Sequence, residues 1–142
     1  MSEVQERVAG LIERDAFVQS LGITLVDARE GRVTIAMDVT AGHINFHGGC
    51  HGGVIFAFAD TAFGLASNSG GTVSIGIDTH TAFIRGVREG DLLTATAEEI
   101  SRSRKVGVYR VDVSRDGETV STFTGTVHVT GRSVDESMKT EA

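Results

Sequence analysis

The sequence has no proline, no tryptophan and a single cysteine among its 142 residues. A lone Cys50 rules out an intrachain disulfide and fits a reducing, cytoplasmic setting. No run of about 18 apolar residues occurs, so no segment reads as membrane-spanning. The polar, acidic start Met1-Ser2-Glu3-Val4-Gln5-Glu6-Arg7 has no apolar signal core behind it. Basic charge is scarce as well: 13 Lys and Arg against 19 Asp and Glu leave a net charge of −6 and a pI near 5.3. That balance argues against nucleic acid as the main partner, because phosphate binding needs a concentrated basic face. What is present describes a compact, soluble chain: 40% hydrophobic and 23% charged residues, 18 glycines and a mean hydropathy of +0.03. With no linker, repeat or low-complexity stretch, residues 1–142 read as a single domain.

Hydrophobic spacing orders the elements. Val4, Val8, Leu11, Ile12 and Val18 recur at helical intervals and predict an amphipathic opening helix that stops near Leu21-Gly22. From Gly31 the period becomes two, with Val33, Ile35, Met37 and Val39 on one face of a half-buried strand. Ala41 to Gly53 reads as a loop. Val54 to about Asn68 is apolar on every side and too long for a strand, which predicts a central, buried helix. Four further strands follow, Val73 to Phe83, Leu92 to Ser101, Val106 to Ser114 and Val120 to Val129, the last two joined by an Arg115-Asp116-Gly117 turn. After about residue 131 the chain turns polar and is expected to fray. The order predicts an α+β fold in which one antiparallel sheet wraps a long helix.

Between Asp38 and Asp78 only one residue is charged, Asp60, in the middle of that apolar helix. An unpaired carboxylate there costs several kcal/mol or titrates upward, so the residue is either well paired or placed for chemistry. His51-Gly52-Gly53 precedes the helix. Glycine lets a ligand approach the backbone, and amides at a helix N-terminus are unpaired donors at the positive end of the dipole, the outline of an oxyanion hole. A tight loop-to-helix turn explains the same two glycines. Asp60 lies eight residues past Gly52, roughly 12 Å along a helix, too far for both to serve one carbonyl carbon. If they share a substrate, Gly52 of one subunit faces Asp60 of another, which predicts a two-fold dimer with interfacial sites.

The segment from His51 to Phe63, with Ile44-Asn45 and Cys50 before it and Phe83-Ile84-Arg85, Gly90-Asp91, Gly107-Val108-Tyr109 and Phe123-Thr124-Gly125 after it, resembles the PaaI-type acyl-CoA thioesterases of the hotdog superfamily. The phenylacetyl-CoA thioesterases are the nearest in pattern, and the similarity runs from about Phe17 to Val129. Gly86 departs from it, where resembling chains often carry proline. The resemblance implies a hotdog fold and hydrolysis of acyl-CoA thioesters, phenylacetyl-CoA or a ring-hydroxylated relative, in phenylacetate catabolism. The Gly52 amide would polarise the thioester carbonyl while Asp60 of the partner acts as nucleophile or general base. Asn45 would sit near the attacking water or the carboxylate, and His51 would support the turn and the thiol leaving group. No cofactor is implied, CoA being part of the substrate, and the assembly implied is a tetramer built from dimers.

Each residue also has a plainer explanation. Asn45 reads equally as a turn residue, His51 as a loop support, and Asp60 as a cap for a neighbouring helix. His43, His47, Cys50 and His51 have metal-like spacing, but Gly48-Gly49 interrupts the helix such spacing needs, and the resembling family uses no metal. Phe46, Phe56, Phe63 and the Gly53 backbone are candidate acyl-site walls, although phenylalanines in a small core need no ligand. Arg85, Arg88, Arg102, Arg104 and Lys105 are the only basic clusters, and Arg85 with the Ser101–Lys105 turn is the candidate site for the CoA phosphates. Two other functions stay open on this reading: a non-catalytic acyl-CoA sensor, which would not need Asp60, and a hotdog hydratase or dehydratase, which would place a His opposite the acid.

Overall fold

The computed structural model describes residues 1–140. It is a hotdog fold of class α+β. Helices α1 (Glu3–Arg14) and α2 (Ala16–Ser20) lead into strands β1 (Thr24–Arg29) and β2 (Arg32–Asp38). The long helix α3 (Gly52–Asn68) follows, then β3 (Thr72–Phe83), β4 (Leu92–Arg102), β5 (Val106–Arg115), β6 (Glu118–Ser133) and a last helix α4 (Val134–Thr140). The strands form one antiparallel sheet in the order β1-β2-β4-β5-β6-β3, with β1 and β3 at its edges.

The sheet curls around one face of α3. Ile55, Phe58, Ala59, Ala62, Phe63 and Ala66 on the helix meet Ile35, Leu93, Ala95, Val111 and Phe123 on the strands, all buried. Phe63 lies so close to the sheet that only glycine fits opposite it: a Cβ on Gly125 would come within 2.7 Å of its ring, and one on Gly76 within 3.0 Å. The β5–β6 hairpin turns on Asp116 (φ 51) and Gly117 (φ 77), the left-handed pair of a type I′ turn.

Four expectations are corrected. The opening helix is two helices, because Asp15 ends α1 and caps α2, its Oδ1 accepting the Val18 N–H at 3.0 Å. Strand β1, unforeseen, is an edge strand with a register shift between Leu25 and Asp27, which erases the period-two pattern and leaves Val26 exposed. The long apolar helix is buried on one face only; Asp60 lies on the uncovered face. The polar end does not fray at 131. Strand β6 runs to Ser133, Val134 is buried, and Arg7 at 8% exposure binds Asp135 of α4 through Nε (2.9 Å) and Nη2 (2.9 Å). Residues 141–142 of that expected tail lie outside the described residues.

Candidate active site

The loop before α3 is built around Asn45. Its Oδ1 accepts the N–H groups of His47 (2.9 Å) and Gly49 (3.2 Å), while its backbone N–H reaches the Gly49 carbonyl at 2.8 Å. Among the described residues, the Asn45 side-chain amide N–H groups have no partner, and the residue is half-buried. Next, His51 acts as the N-cap of α3: its Nδ1 accepts the Gly53 N–H at 2.8 Å, which places the ring proton of the neutral side chain on Nε2. Gly53 is therefore corrected as a free donor, since its amide is already spent. Gly52 is different. Its N–H, at the first helical position, has no hydrogen-bond partner among the described residues, and its Cα faces the Phe83 ring, 3.4 Å from where a Cβ would stand. A groove of about 340 Å³ opens there, lined by Gly52, Ile55, Phe83, Ile84 and Arg85.

Two turns along the same helix stands Asp60. Of the two alternatives, well paired or placed for chemistry, pairing is not found in the single chain: the carboxylate is exposed and has no hydrogen bond or ion pair among the described residues. It nevertheless sits in a crowded depression, and desolvation there raises its pKa above the ordinary carboxylate value. Two grooves meet at this residue. One, about 610 Å³, runs between α3 and the α1–α2 pair past Leu11, Phe17, Phe56 and Gly64. The other, about 350 Å³, opens toward the β3 edge past Ser74, Asp78 and Thr79.

The remaining candidates scatter. Phe56 lines the larger groove and touches Phe123 with ring centroids 5.8 Å apart. Phe63 is 2% exposed, packed on Phe123 and Tyr109, and belongs to the core while reaching the β3-side groove. Phe46 is 93% exposed, its ring tilted at 42° against His47 with centroids 4.2 Å apart. Arg102 points inward, donating to the Ser67 carbonyl, the Tyr109 hydroxyl and Ser74 Oγ, so the expectation that it meets a phosphate is corrected to an internal strut. Arg104 and Lys105 are exposed on the β4–β5 turn, the end of the sheet nearest the C-terminus of α3. Arg85 is exposed beside the Gly52 groove, donating to the Thr119 carbonyl. Burial, with the charge of Asp91 second, pushes the Cys50 thiol up to about 11, so it stays protonated at neutral pH and is no nucleophile. His43 is buried, with Nδ1 accepting the Thr40 N–H. The α1–α2 wall of the larger groove, Leu11 and Phe17, was not foreseen; its trace in the sequence is a phenylalanine beside an apolar helical stripe, and only the structure shows Phe17 to be 59% exposed.

Comparison with known proteins adds to this geometry. The family model described as Thioesterase superfamily matches residues 47–122. The Acyl-coenzyme A thioesterase PaaI of Escherichia coli (strain K12) is 38% identical over 125 residues, 87% of this chain and 89% of that protein. The structure of E. coli PaaI, from the phenylacetic acid degradation operon, superposes with a TM-score of 0.89 at 35% identity, covering 92% of this chain and 95% of that one. A mutant of the phenylacetic acid degradation protein PaaI from Thermus thermophilus gives 0.78 at 37% identity, over 80% and 98% of the two chains. A Streptococcus mutans UA159 protein solved bound to acetyl CoA gives 0.75 at 27% identity, over 78% and 90%.

Proposed function

Since the chain belongs to the thioesterase superfamily, among the PaaI-type acyl-CoA thioesterases, we propose that it hydrolyses acyl-CoA thioesters, with phenylacetyl-CoA or a ring-hydroxylated relative as substrate. The observation that carries the mechanism is a pair of unspent groups on one helix: the Gly52 N–H at its start and the Asp60 carboxylate on its uncovered face. They lie roughly 12 Å apart along the axis, so one carbonyl engages both only when Gly52 and Asp60 come from two subunits whose α3 helices run antiparallel.

In that arrangement the thioester oxygen accepts the Gly52 N–H, whose position at the positive end of the helix dipole favours the charge that develops there. Asp60 either takes a proton from a water that attacks the carbonyl carbon, or attacks that carbon itself to give an anhydride that water then opens. In both routes the carbonyl electrons move onto oxygen, return, and expel the CoA thiolate as the C–S bond breaks. A thiolate leaves readily, so little acid help is needed, and a base with a modestly raised pKa matches the task. Asn45, its Oδ1 holding the loop, presents its amide N–H groups to the water or the carboxylate. His51 holds the turn that presents Gly52.

The 340 Å³ groove supports entry of the pantetheine arm at Gly52, with the exposed Arg85, paired with Glu118 at 3.5 Å, at its rim to meet phosphates; Arg104 and Lys105 of the β4–β5 turn lie at the other end of α3 in the same chain. The reading requires no cofactor and no metal. It places the enzyme in the cytoplasm as a dimer, paired into a tetramer; among the described residues no helix is long and apolar enough to cross a membrane.

The test is free-thiol release from aryl-acetyl, benzoyl and straight-chain acyl-CoAs by wild type and Asp60→Asn in parallel. We expect turnover of phenylacetyl-CoA that falls at least ~100-fold in Asp60→Asn while the variant still binds the thioester. Absence of release from every thioester would replace hydrolysis by a binding role.

A further inference from the structure

We infer that the groove between α3 and the α1–α2 pair holds the acyl group of the substrate, and that Gly64 sets how large that group can be. The inference rests on the thioesterase reading and adds to it the location and the size limit of the acyl site.

Asp60 forms the lip of two grooves with different chemistry. The one toward β3, which Gly64 also borders, mixes Phe63 and Ile77 with Ser67, Ser74, Asp78 and Thr79, polar groups that would lose water against an apolar ligand. The one toward α1 and α2 offers Leu11, Phe17, Val18, Phe56 and Leu65, and at about 610 Å³ it lies within the range of ligand pockets, roughly 300–1,000 Å³. An acyl group entering with its carbonyl beside Asp60 gains more by lying in the second. That groove extends along α3 from Asp60 to Asn68, a run of eight residues or roughly 12 Å.

Gly64 lies one turn beyond Asp60, about 5–6 Å away on the same helix face. Glycine in a helix interior costs about 1 kcal/mol relative to alanine. Nothing in the backbone asks for it: Gly64 is helical, not among the residues with positive φ, and a Cβ built there meets no atom within 4 Å. By contrast Gly76 and Gly125 are held by the Phe63 ring. What the absent side chain leaves at 64 is open groove floor immediately beyond the carboxylate, where the second shell of acyl carbons would lie. An acetyl group ends before reaching it. A phenylacetyl ring lies over it.

The experiment compares kcat/KM for phenylacetyl-CoA and acetyl-CoA in wild type, Gly64→Ala and Gly64→Leu, each with its melting temperature. We expect the ratio of phenylacetyl-CoA to acetyl-CoA efficiency to fall more than tenfold in Gly64→Leu and severalfold in Gly64→Ala, with the loss mainly in KM. Because helix propensity improves, Gly64→Ala should melt no lower than wild type, so it carries the test with the same sign should the leucine variant fail to fold. An unchanged ratio in folded variants, or a proportional loss on both substrates, would overturn the acyl-site assignment while leaving hydrolysis intact. A wild type that releases no thiol from either substrate would instead sink the thioesterase reading beneath it.

Discussion

Asp60 is a carboxylate without a partner among the described residues, on a helix of alanine, phenylalanine and glycine, and its energetics follow from that placement. Desolvation raises its pKa in the folded chain above the unfolded value of about 3.9. The native state therefore holds the proton more tightly than the unfolded state. Stability from this group is fully present below the unfolded pKa and is lost as pH rises through the native one, so at neutral pH the charged form works against the fold. Asp60→Asn should accordingly unfold at a higher temperature than wild type at pH 7, with the gap closing as the pH is lowered through the native and then the unfolded pKa; a thermal melt series checks it. The same shift acts on catalysis. The acid limb of the wild-type kcat/KM profile should rise with unit slope at a pH above the ordinary aspartate value, and a limb centred at or below about 4 would detach Asp60 from the base role. The identity of this residue was legible in the sequence because an isolated charge in an apolar run has few explanations. Its exposure was not legible, since all-round apolarity does not say which face the sheet leaves open.

At the scale of elements, legibility tracked how far each one depends on its own period. Strands β2, β4, β5 and β6 each bury alternate residues, so their pattern survives in the sequence, and the Asp116-Gly117 turn advertises its hairpin. Strand β1 carries a bulge at an edge, and α4 is a short polar helix whose place is set by partners about 130 residues away, neither of which leaves a local signature. Arg102 misled for a related reason: it reads as part of a basic turn, and only the packing of β4 against the end of α3 turns its guanidinium inward. The link holding α4 can be tested directly. The Arg7 guanidinium, buried beside Asp135, holds that carboxyl below the usual range, first through their hydrogen bonds and less through charge. A depressed pKa gives stability that is present above the unfolded value and lost as pH falls through the native one. Asp135→Asn should therefore destabilise by about 1–2 kcal/mol at pH 7, moderated because Asp135 is half exposed and Glu3 still pairs with Arg7, and by nothing measurable once acid has protonated the wild type. Urea denaturation at pH 7 and at a series of falling acid pH values follows the gap as it closes.

For the whole molecule, the single chain leaves the Asp60 face of α3 and the edges of its sheet uncovered. Strand β3 presents one unpaired edge of 12 residues, with Ile75 and Ile77 about half exposed, and long exposed edges are templates for pairing with another chain. A second copy added there would place two α3 helices side by side on one face of a continuous sheet. Subunit mixing tests whether the site is shared between them. The first partner is Asp60→Asn. The second is Gly52→Pro, which deletes the amide hydrogen at issue and adds a ring to the groove floor beside Phe83; the backbone accepts it, since proline is favoured at the first helical position, and His51, at φ −59 and ψ 131, already has the extended backbone that a following proline requires. Loss of a single oxyanion donor should lower kcat by about 10²–10³ in the Gly52→Pro homodimer. When the two variants are unfolded together and refolded at equal concentration, about half of the dimers are mixed. Each mixed dimer has one site with an intact Gly52 facing an intact Asp60 and one site with both lost. Activity should return to about a quarter of wild type, although neither variant alone exceeds a few per cent. If Gly52 and Asp60 of the same chain served one substrate, every site in the mixture would still lack one group, and refolding together would restore nothing.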